Sequence, residues 1–291
     1  MADGVVGVIG GSGLYEIDGL EAVEELTLET PYGPPSDSIV RGRLGDVVML
    51  FLPRHGRGHR LTPTAIPYRA NVWAMKKLGA EWVISVSAVG SLQEDIRPGD
   101  IVVVDQFIDR TRLRPSTFFE DGVVAQVQFA DPVCLSLARR LFESADEMGV
   151  RVHERGTYCC MEGPAFSTRA ESHMYRQLGA HLIGMTNLPE AKLAREAEIC
   201  YATLALVTDY DCWRTDEDDV RVEDILGVLK ANVSKAKQII AGAVASLPDR
   251  SSCGCPRALA NALLTSKSAM PEAVLGRLGP IVERVLGSRG R

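Results

Sequence analysis

Three times along this chain a helical stretch ends in glycine and a strand-like apolar run follows at once. Lys77-Leu78-Gly79-Ala80 leads into Trp82-Val83-Ile84-Ser85-Val86, Glu147-Met148-Gly149 into Val150-Arg151-Val152, and Gln177-Leu178-Gly179-Ala180 into His181-Leu182-Ile183. Glycine just past a helix accepts the left-handed backbone conformation that closes the last turn. A chain that repeats this step alternates helices with strands, which builds a central sheet with helices packed against it. The pattern predicts an α/β fold with one main domain.

Other segments fit that frame. Val47 to Leu52 and Asp100 to Val104 read as buried strands, and Ile199 to Val207 as another, rich in Ala and Leu. Asp131-Pro132 reads as an N-cap and first-turn proline opening a helix to about Met148. Val222 to Leu247 has helical spacing, with Ile225, Leu226, Leu229, Val233, Ala236, Ile240 and Val244 on one side. Pro248 to Pro256 is polar and rich in breakers, which predicts a surface linker. Two short helices are expected beyond it, over 257–266 and 271–286. The expected division is a main domain over 1–247 and a C-terminal helical extension over 248–291.

Composition narrows the partners. Hydrophobic residues make up 46% and charged residues 24%, as in a globular protein in water. A net charge of −6 opposes general binding to nucleic acid or to anionic membranes. A small anion needs only a local cationic pocket. No apolar run reaches membrane length and no leader pattern precedes the first strand, so the expected setting is the cytoplasm. The seven cysteines then read as mostly reduced thiols. Cys253-Gly254-Cys255 has no further Cys or His within about thirty residues, so no metal site is expected there. Two free thiols or a strained disulfide remain open.

The chemistry concentrates in four stretches. Val6-Gly7-Val8-Ile9-Gly10-Gly11-Ser12-Gly13-Leu14 is a strand ending in a turn almost without side chains. Backbone N–H groups and the Ser12 hydroxyl can approach an anion there, or the glycines only make a tight turn. The dinucleotide pattern fails because Glu16 stands where its third glycine belongs, and no P-loop Gly-Lys follows. Arg54-His55-Gly56-Arg57-Gly58-His59-Arg60 is a cationic loop following a strand, where open α/β sheets gather ligands. A solvated loop is the alternative; a metal pair at His55 and His59 would need a helix, which Gly56 and Gly58 oppose.

Ser85-Val86-Ser87-Ala88-Val89-Gly90 is another strand ending in small residues. In Glu162 to Glu171, Phe166 is a loop aromatic able to stack on a flat ligand, while Ser167 or Thr168 can cap a following helix. Thr208-Asp209-Tyr210-Asp211-Cys212-Trp213 ends a strand. If the strand continues, Asp209 and Asp211 share a face, and proximity raises one pKa. A protonated carboxyl there can assist a heterocyclic leaving group. A calcium site, needing more oxygens, and a hydrated turn are the alternatives.

Together these stretches resemble the trimeric nucleoside phosphorylase family. The matching runs are Ile9 to Leu14, Thr30-Pro31-Tyr32-Gly33-Pro34-Pro35-Ser36-Asp37, Arg54 to His59, Pro98-Gly99-Asp100, Asp105 to Thr111, Glu162-Gly163-Pro164 with Phe166-Ser167, Met185-Thr186, Pro189-Glu190 and Thr208 to Trp213. They cover residues 4 to about 247. The resemblance implies the nucleoside phosphorylase fold, a homotrimer or a dimer of trimers, and a small-molecule nucleoside with inorganic phosphate as co-substrate. It implies no metal and no organic cofactor. Ser12, Arg54, His55, Ser87, the Ala88 backbone and Thr186 are similar to the family's phosphate ligands. Met185 would pack under the ribose, Phe166 and Ser167 would line the purine pocket, and Asp209 and Asp211 would face the base. Val222 and Ile225 fall at the 5′-substituent pocket, where apolar side chains suit a methylthio group and disfavour a hydroxyl. Asp209 can accept from a 6-amino group, which favours adenine.

The expected reaction is therefore phosphorolysis of S-methyl-5′-thioadenosine to adenine and 5-methylthioribose 1-phosphate, with Asp209 as the acid. Phosphorolysis of 5′-methylthioinosine or of 6-oxopurine nucleosides is the near alternative, and a non-catalytic nucleoside sensor the distant one. In two places the chain differs from or varies on the family pattern. Gln126 stands where family members often carry a neighbouring subunit's His. The Cys253-Gly254-Cys255 tail is similar to that of archaeal members in which such a pair forms a disulfide.

Overall fold

The computed structural model describes residues 4–11, 14, 17–214 and 222–287, without the side chains of 222–226. In chain order the elements are β1 (Val5–Gly10), β2 (Glu21–Leu26), β3 (Ile39–Leu44), β4 (Val47–Pro53), α1 (Tyr68–Lys77), β5 (Trp82–Ser91), β6 (Ile101–Val104), β7 (Gln106–Arg110), α2 (Leu135–Glu147), β8 (Val152–His153), β9 (Thr157–Met161), α3 (Arg169–Gln177), β10 (Leu182–Gly184), α4 (Glu190–Glu196), β11 (Cys200–Asp209), α5 (Val222–Val244), α6 (Glu272–Leu278) and α7 (Glu283–Leu286). The three glycines that end helices have φ of +88° at Gly79, +68° at Gly149 and +79° at Gly179, the conformation their position requires.

The strands form one mixed sheet that forks at β5. One path runs β2-β3-β4-β1-β5-β10-β9-β7, while β11 pairs with β5 and carries β6 and then β8. β1 and β11 are parallel to β5, and β10 is antiparallel to it. Side chains alternate across this sheet. Ile9, Leu50, Leu52 and Val83 face α1, α4 and the C-terminal helices, and Val8, Met49, Phe51 and Ile84 face α2 and α5. The sheet interior is apolar on both faces, which is why its strands read as continuous hydrophobic runs. On α5, Ala236, Ile240 and Val244 are buried, and Leu229 and Val233 pack beside them, as the helical spacing predicts.

Tertiary hydrogen bonds move several boundaries. The helix expected from Asp131 begins only at Leu135, with Cys134 as N-cap. The Cys134 N–H donates to the Tyr201 carbonyl at 2.7 Å and Arg195 takes the Asp131 carbonyl, so this segment runs beside β11 instead of winding. The helix expected over 257–266 is absent. A short 3-10 turn covers Cys255–Arg257. Leu264 N–H then donates to Val124 and Gln126 N–H to Ala262, each at 2.9 Å, so those groups serve a bridge. The last helical stretch is broken between α6 and α7 at Gly279, where φ is +50° and Pro280 follows.

The expected surface linker leaves Asp249, Ser251, Ser252 and Gly254 exposed but is tied down at Arg250 and Cys255. Arg250 pairs with Glu81 at 2.7 Å and donates to the Glu198 carbonyl, and Cys255 is buried. Val274, Leu275, Leu278 and Ile281 from the C-terminal segment join the same core cluster as Trp73 of α1. No described helix is long and apolar enough to cross a membrane.

Candidate active site

The fork in the sheet makes an opening. On one edge of β5 the ladder to β1 ends at Ile9 opposite Ser85, and the ladder to β10 begins at Ile183 opposite Gly90. Val86 to Val89 therefore have no strand partner on that edge among the described residues. Ala88 is the one exposed residue of β5, in a strand otherwise buried from end to end. Backbone groups alternate edges with period two. The Val86 carbonyl faces the opening, where it accepts from Arg54, so the Ala88 N–H faces it too. A continuous strand with a gap in the pairing along one edge thus leaves a backbone donor open to a ligand.

Arg54 forms the floor. It follows β4 directly, and its side chain is only 2% exposed. Its Nε and Nη2 pair bidentately with Glu190 at 2.9 and 3.0 Å. Nη1 donates to the Val86 carbonyl at 2.9 Å, and Nη2 to the Ile9 carbonyl at 3.0 Å and the Ser85 hydroxyl at 2.6 Å. Burial disfavours its charge, but the Glu190 carboxylate outweighs that and holds its pKa above the ordinary value. These partners differ from the phosphate contact implied by the resemblance. Arg54 spans the end of β1 and the middle of β5 and ties both to α4, leaving one Nη1 hydrogen without a described protein acceptor. Beneath it, Asn187 Nδ2 reaches the hydroxyls of Ser85, Tyr201 and Thr203 at 2.8–2.9 Å, and Tyr201 donates to Glu190.

Hydroxyls line the opening. Ser87 Oγ and Thr186 Oγ1 lie 3.0 Å apart, both buried, one from β5 and one just past β10. The Tyr158 hydroxyl accepts from the Thr186 N–H at 3.4 Å. The His55 ring stacks on His59, with 4.1 Å between centroids, and its Nδ1 lies 2.9 Å from the Leu61 carbonyl. Burial, reinforced by the charge of Arg54, pushes its pKa down to about 4. The ring is thus neutral near pH 7. A carbonyl only accepts, so Nδ1 carries the proton and Nε2 is an acceptor.

At the end of β11, Asp209 and Asp211 meet through a turn and not along a strand face. The strand stops at Asp209, and Asp211 has φ of +53°. The Asp211 N–H donates to Asp209 Oδ1 at 2.8 Å, and Thr208 Oγ1 donates to Oδ2 at 2.7 Å. Both carboxyls have raised pKa values, and burial is the leading cause in each; for Asp209 the neighbouring charge of Asp211 adds least. Asp211 Oδ2 is buried without a hydrogen-bond partner among the described residues. A Cβ at Gly90 would lie 2.8 Å from Asp209 Oδ1, so only glycine lets the carboxyl sit against β5.

The loop before α3 closes this end. Phe166 is 52% exposed. Thr168 caps α3 in a reciprocal box with Glu171, which leaves Ser167 free of that task. Ser167 Oγ lies 3.6 Å from Met161 Sδ, and its carbonyl accepts from Cys212 Sγ at 3.2 Å, fastening the Phe166 loop to the Asp211 turn. The expected residue Ser12 and the side chains of Val222 and Ile225 lie outside the described residues.

Arg114 is the residue that the sequence reading missed. Its side chain is wholly buried and fans out to the Met185, Leu188, Met161 and Glu162 carbonyls, the Tyr68 hydroxyl and the Glu162 carboxylate. Met185 is held by its carbonyl at 2.7 Å, and its sulfur lies where any side chain at Gly163 would go. Burial opposes Glu162's charge, but donors from Thr64, the Arg112 and Leu113 N–H groups and Arg114 win and bring its pKa down to about 2. No local spacing announces Arg114. Glu162 and Glu190 stand in two of the matched motifs, but nothing near them in sequence names their arginine partners.

A strand edge left unpaired in mid-sheet, with hydroxyls and a buried cation beside it and paired acids one strand over, is the arrangement of an α/β enzyme site. The chain belongs to the phosphorylase superfamily, whose family model matches residues 5–245. Within it the chain is similar to proteins named S-methyl-5′-thioadenosine phosphorylase. It is 58% identical to that of Geobacter sulfurreducens, over 96% of this chain and 98% of the relative. A solved methylthioadenosine phosphorylase from an antarctic soil metagenomic library superposes with a TM-score of 0.91 at 49% identity, covering 96% of this chain and 99% of that one. The methylthioadenosine phosphorylase of Schistosoma mansoni in complex with adenine gives a TM-score of 0.83 at 37% identity, covering 88% and 96%.

Proposed function

We propose that the chain catalyses phosphorolysis of S-methyl-5′-thioadenosine to adenine and 5-methylthioribose 1-phosphate. The observation that carries the chemistry is the spacing of the two half-sites on neighbouring strands. Ala88 lies opposite Leu206 and Asp209 lies opposite Gly90, two residues further along. At about 3.3 Å per residue that offset is about 7 Å, the scale of a ribose between an anion and a base.

Phosphate occupies the opening in β5, held by the Ala88 N–H, Ser87, Thr186 and the glycine turn with Ser12. Arg54 supplies the buried positive charge and its remaining Nη1 hydrogen. His55 accepts at Nε2 from the P–OH of a monoprotonated phosphate. A phosphate oxygen attacks C1′ as the bond from C1′ to N9 breaks, and phosphate's negative charge offsets the charge developing on the sugar. Asp209, whose acid form is favoured by burial, gives its proton to N7 of the leaving adenine. Phe166 stacks on the base and Met185 packs under the ribose, and the apolar residue types at 222 and 225 suit a methylthio group. The working unit is a homotrimer. The test is phosphate-dependent turnover of methylthioadenosine, methylthioinosine and inosine side by side. Preference for either 6-oxopurine would reverse the base assignment, and no phosphate-dependent release of base from any of them would reject the reaction.

A further inference from the structure

Four cysteines distant in sequence converge at the end of the sheet opposite the active site. Cys134 is the N-cap of α2, Cys200 opens β11, and Cys253 and Cys255 lie in the segment after α5. Their sulfurs all lie within 4.8 Å of one another, and those of Cys200 and Cys253 are 3.6 Å apart. All four are free thiols; Cys134, Cys200 and Cys255 are buried and Cys253 partly so. We propose that they form a tetrathiolate site for Zn²⁺ that pins the C-terminal segment to the sheet.

The donor set and its spacing fit zinc. Zinc binds four thiolates tetrahedrally at about 2.3 Å, which places the sulfurs about 3.8 Å apart. The 3.6 Å pair is already near that edge, and the widest separation needs to close by only about 1 Å. Four soft sulfur donors with no oxygen or nitrogen among them disfavour magnesium and calcium. Four protein ligands leave no open position, so the site is structural and not catalytic. The intervening Gly254 has nothing within 4 Å of a notional Cβ, so the Cys-Gly-Cys turn can adjust around an ion. Two features offset the net negative charge of such a cluster: the N-terminal end of α2 at Cys134, and Arg195, whose charge reaches Cys255.

Position sets the role. Cys200 and Asp209 are the two ends of β11. Nine steps of about 3.3 Å separate the cluster from the proposed acid by about 30 Å. The expectation that no metal ligands accompany Cys253 and Cys255 rested on sequence distance. The fold supplies Cys134 and Cys200 from far upstream.

The experiment uses the full chain purified under reducing conditions and dialysed without chelator. Elemental analysis should find about one zinc per chain. Cobalt(II) exchanged into the site should show the intense visible bands of tetrahedral cobalt thiolate. Cys200→Ser/Cys253→Ser should lose at least tenfold in bound zinc and lose the cobalt spectrum, with methylthioadenosine turnover at ordinary temperature retained. Circular dichroism checks that this variant folds, and the cobalt spectrum of the unaltered chain stands independently of it. Metal-free protein with all seven thiols titratable after denaturation and no cobalt spectrum would overturn the proposal. So would an intact mass lowered by two or four hydrogens, which would mark disulfides instead.

Discussion

The backbone N–H of Asp211 donates to Oδ1 of Asp209 at 2.8 Å, closing a turn in which Asp211 itself takes φ of +53°. The two acids therefore stand in different hydrogen-bond environments. Asp209 is oriented by Thr208 and by the Asp211 backbone, while Asp211 keeps a buried carboxylate oxygen without a partner among the described residues.

Asp209→Asn preserves the shape of this turn but cannot transfer a proton. Methylthioadenosine turnover should fall by about 10²-fold or more. Activity on methylthioinosine should fall less or rise, because the amide can donate to O6. On the proposed mechanism the acid form of Asp209 is the active one. Because burial raises its pKa, the rate should hold to higher pH than for an ordinary aspartate and then fall as pH rises through that value. Near-normal turnover by the variant, with that falling limb intact, would move the role to Asp211.

Arg54→Ala removes one member of a buried ion pair and leaves Glu190 uncompensated. The expected loss is about 3–5 kcal/mol of stability by denaturant unfolding. Arg54→Met combined with Glu190→Leu removes both charges and should recover most of it. The same double variant should raise the Michaelis constant for phosphate about tenfold, the scale of one charge-assisted hydrogen bond. An unchanged constant would leave phosphate to the backbone and hydroxyl donors alone.

Phe166→Ala tests the stacking platform. Since Phe166 is half exposed, folding should be barely affected. The Michaelis constant for nucleoside should rise about 2- to 10-fold, the scale of an aromatic contact, with that for phosphate unchanged. An equal rise for both co-substrates would mean that the loop shapes the whole site.

Glu196 predicts a stability slope. Burial raises its pKa to about 7, against the pull of the Phe118 N–H, the Thr117 hydroxyl and the charge of Lys192. Between its ordinary value of 4.5 and about 7 the folded chain binds more protons here than the unfolded one. The contribution of Glu196 to stability is therefore fully present below 4.5 and is lost as pH rises through about 7, by up to about 3 kcal/mol. Urea midpoints for Glu196→Gln should show a flatter slope across that range. A slope matching that of the unaltered chain would place the titration elsewhere.

The α/β class, the positions of β4, β5, β6 and β11 and the long helix α5 were legible in the sequence, because glycine stops, apolar runs and helical spacing act over a few residues. So was the strand end at Asp209; Ser87 and Ala88, expected near a strand end, lie in mid-strand, because β11 pairs with β5 as far as Gly90. The pairings were not. That Arg54 turns to Glu190, that Arg114 gathers Met185 and Glu162, and that the Asp211 backbone orients Asp209 depends on which strand ends the fork in the sheet brings together. The late start of α2 and the missing helix after Arg257 have the same origin, since backbone groups free to wind locally were captured by β11 and by residues 124–126. The four cysteines show the limit most plainly. Spacing along the chain left Cys253 and Cys255 alone, and only long-range packing set Cys134 and Cys200 beside them.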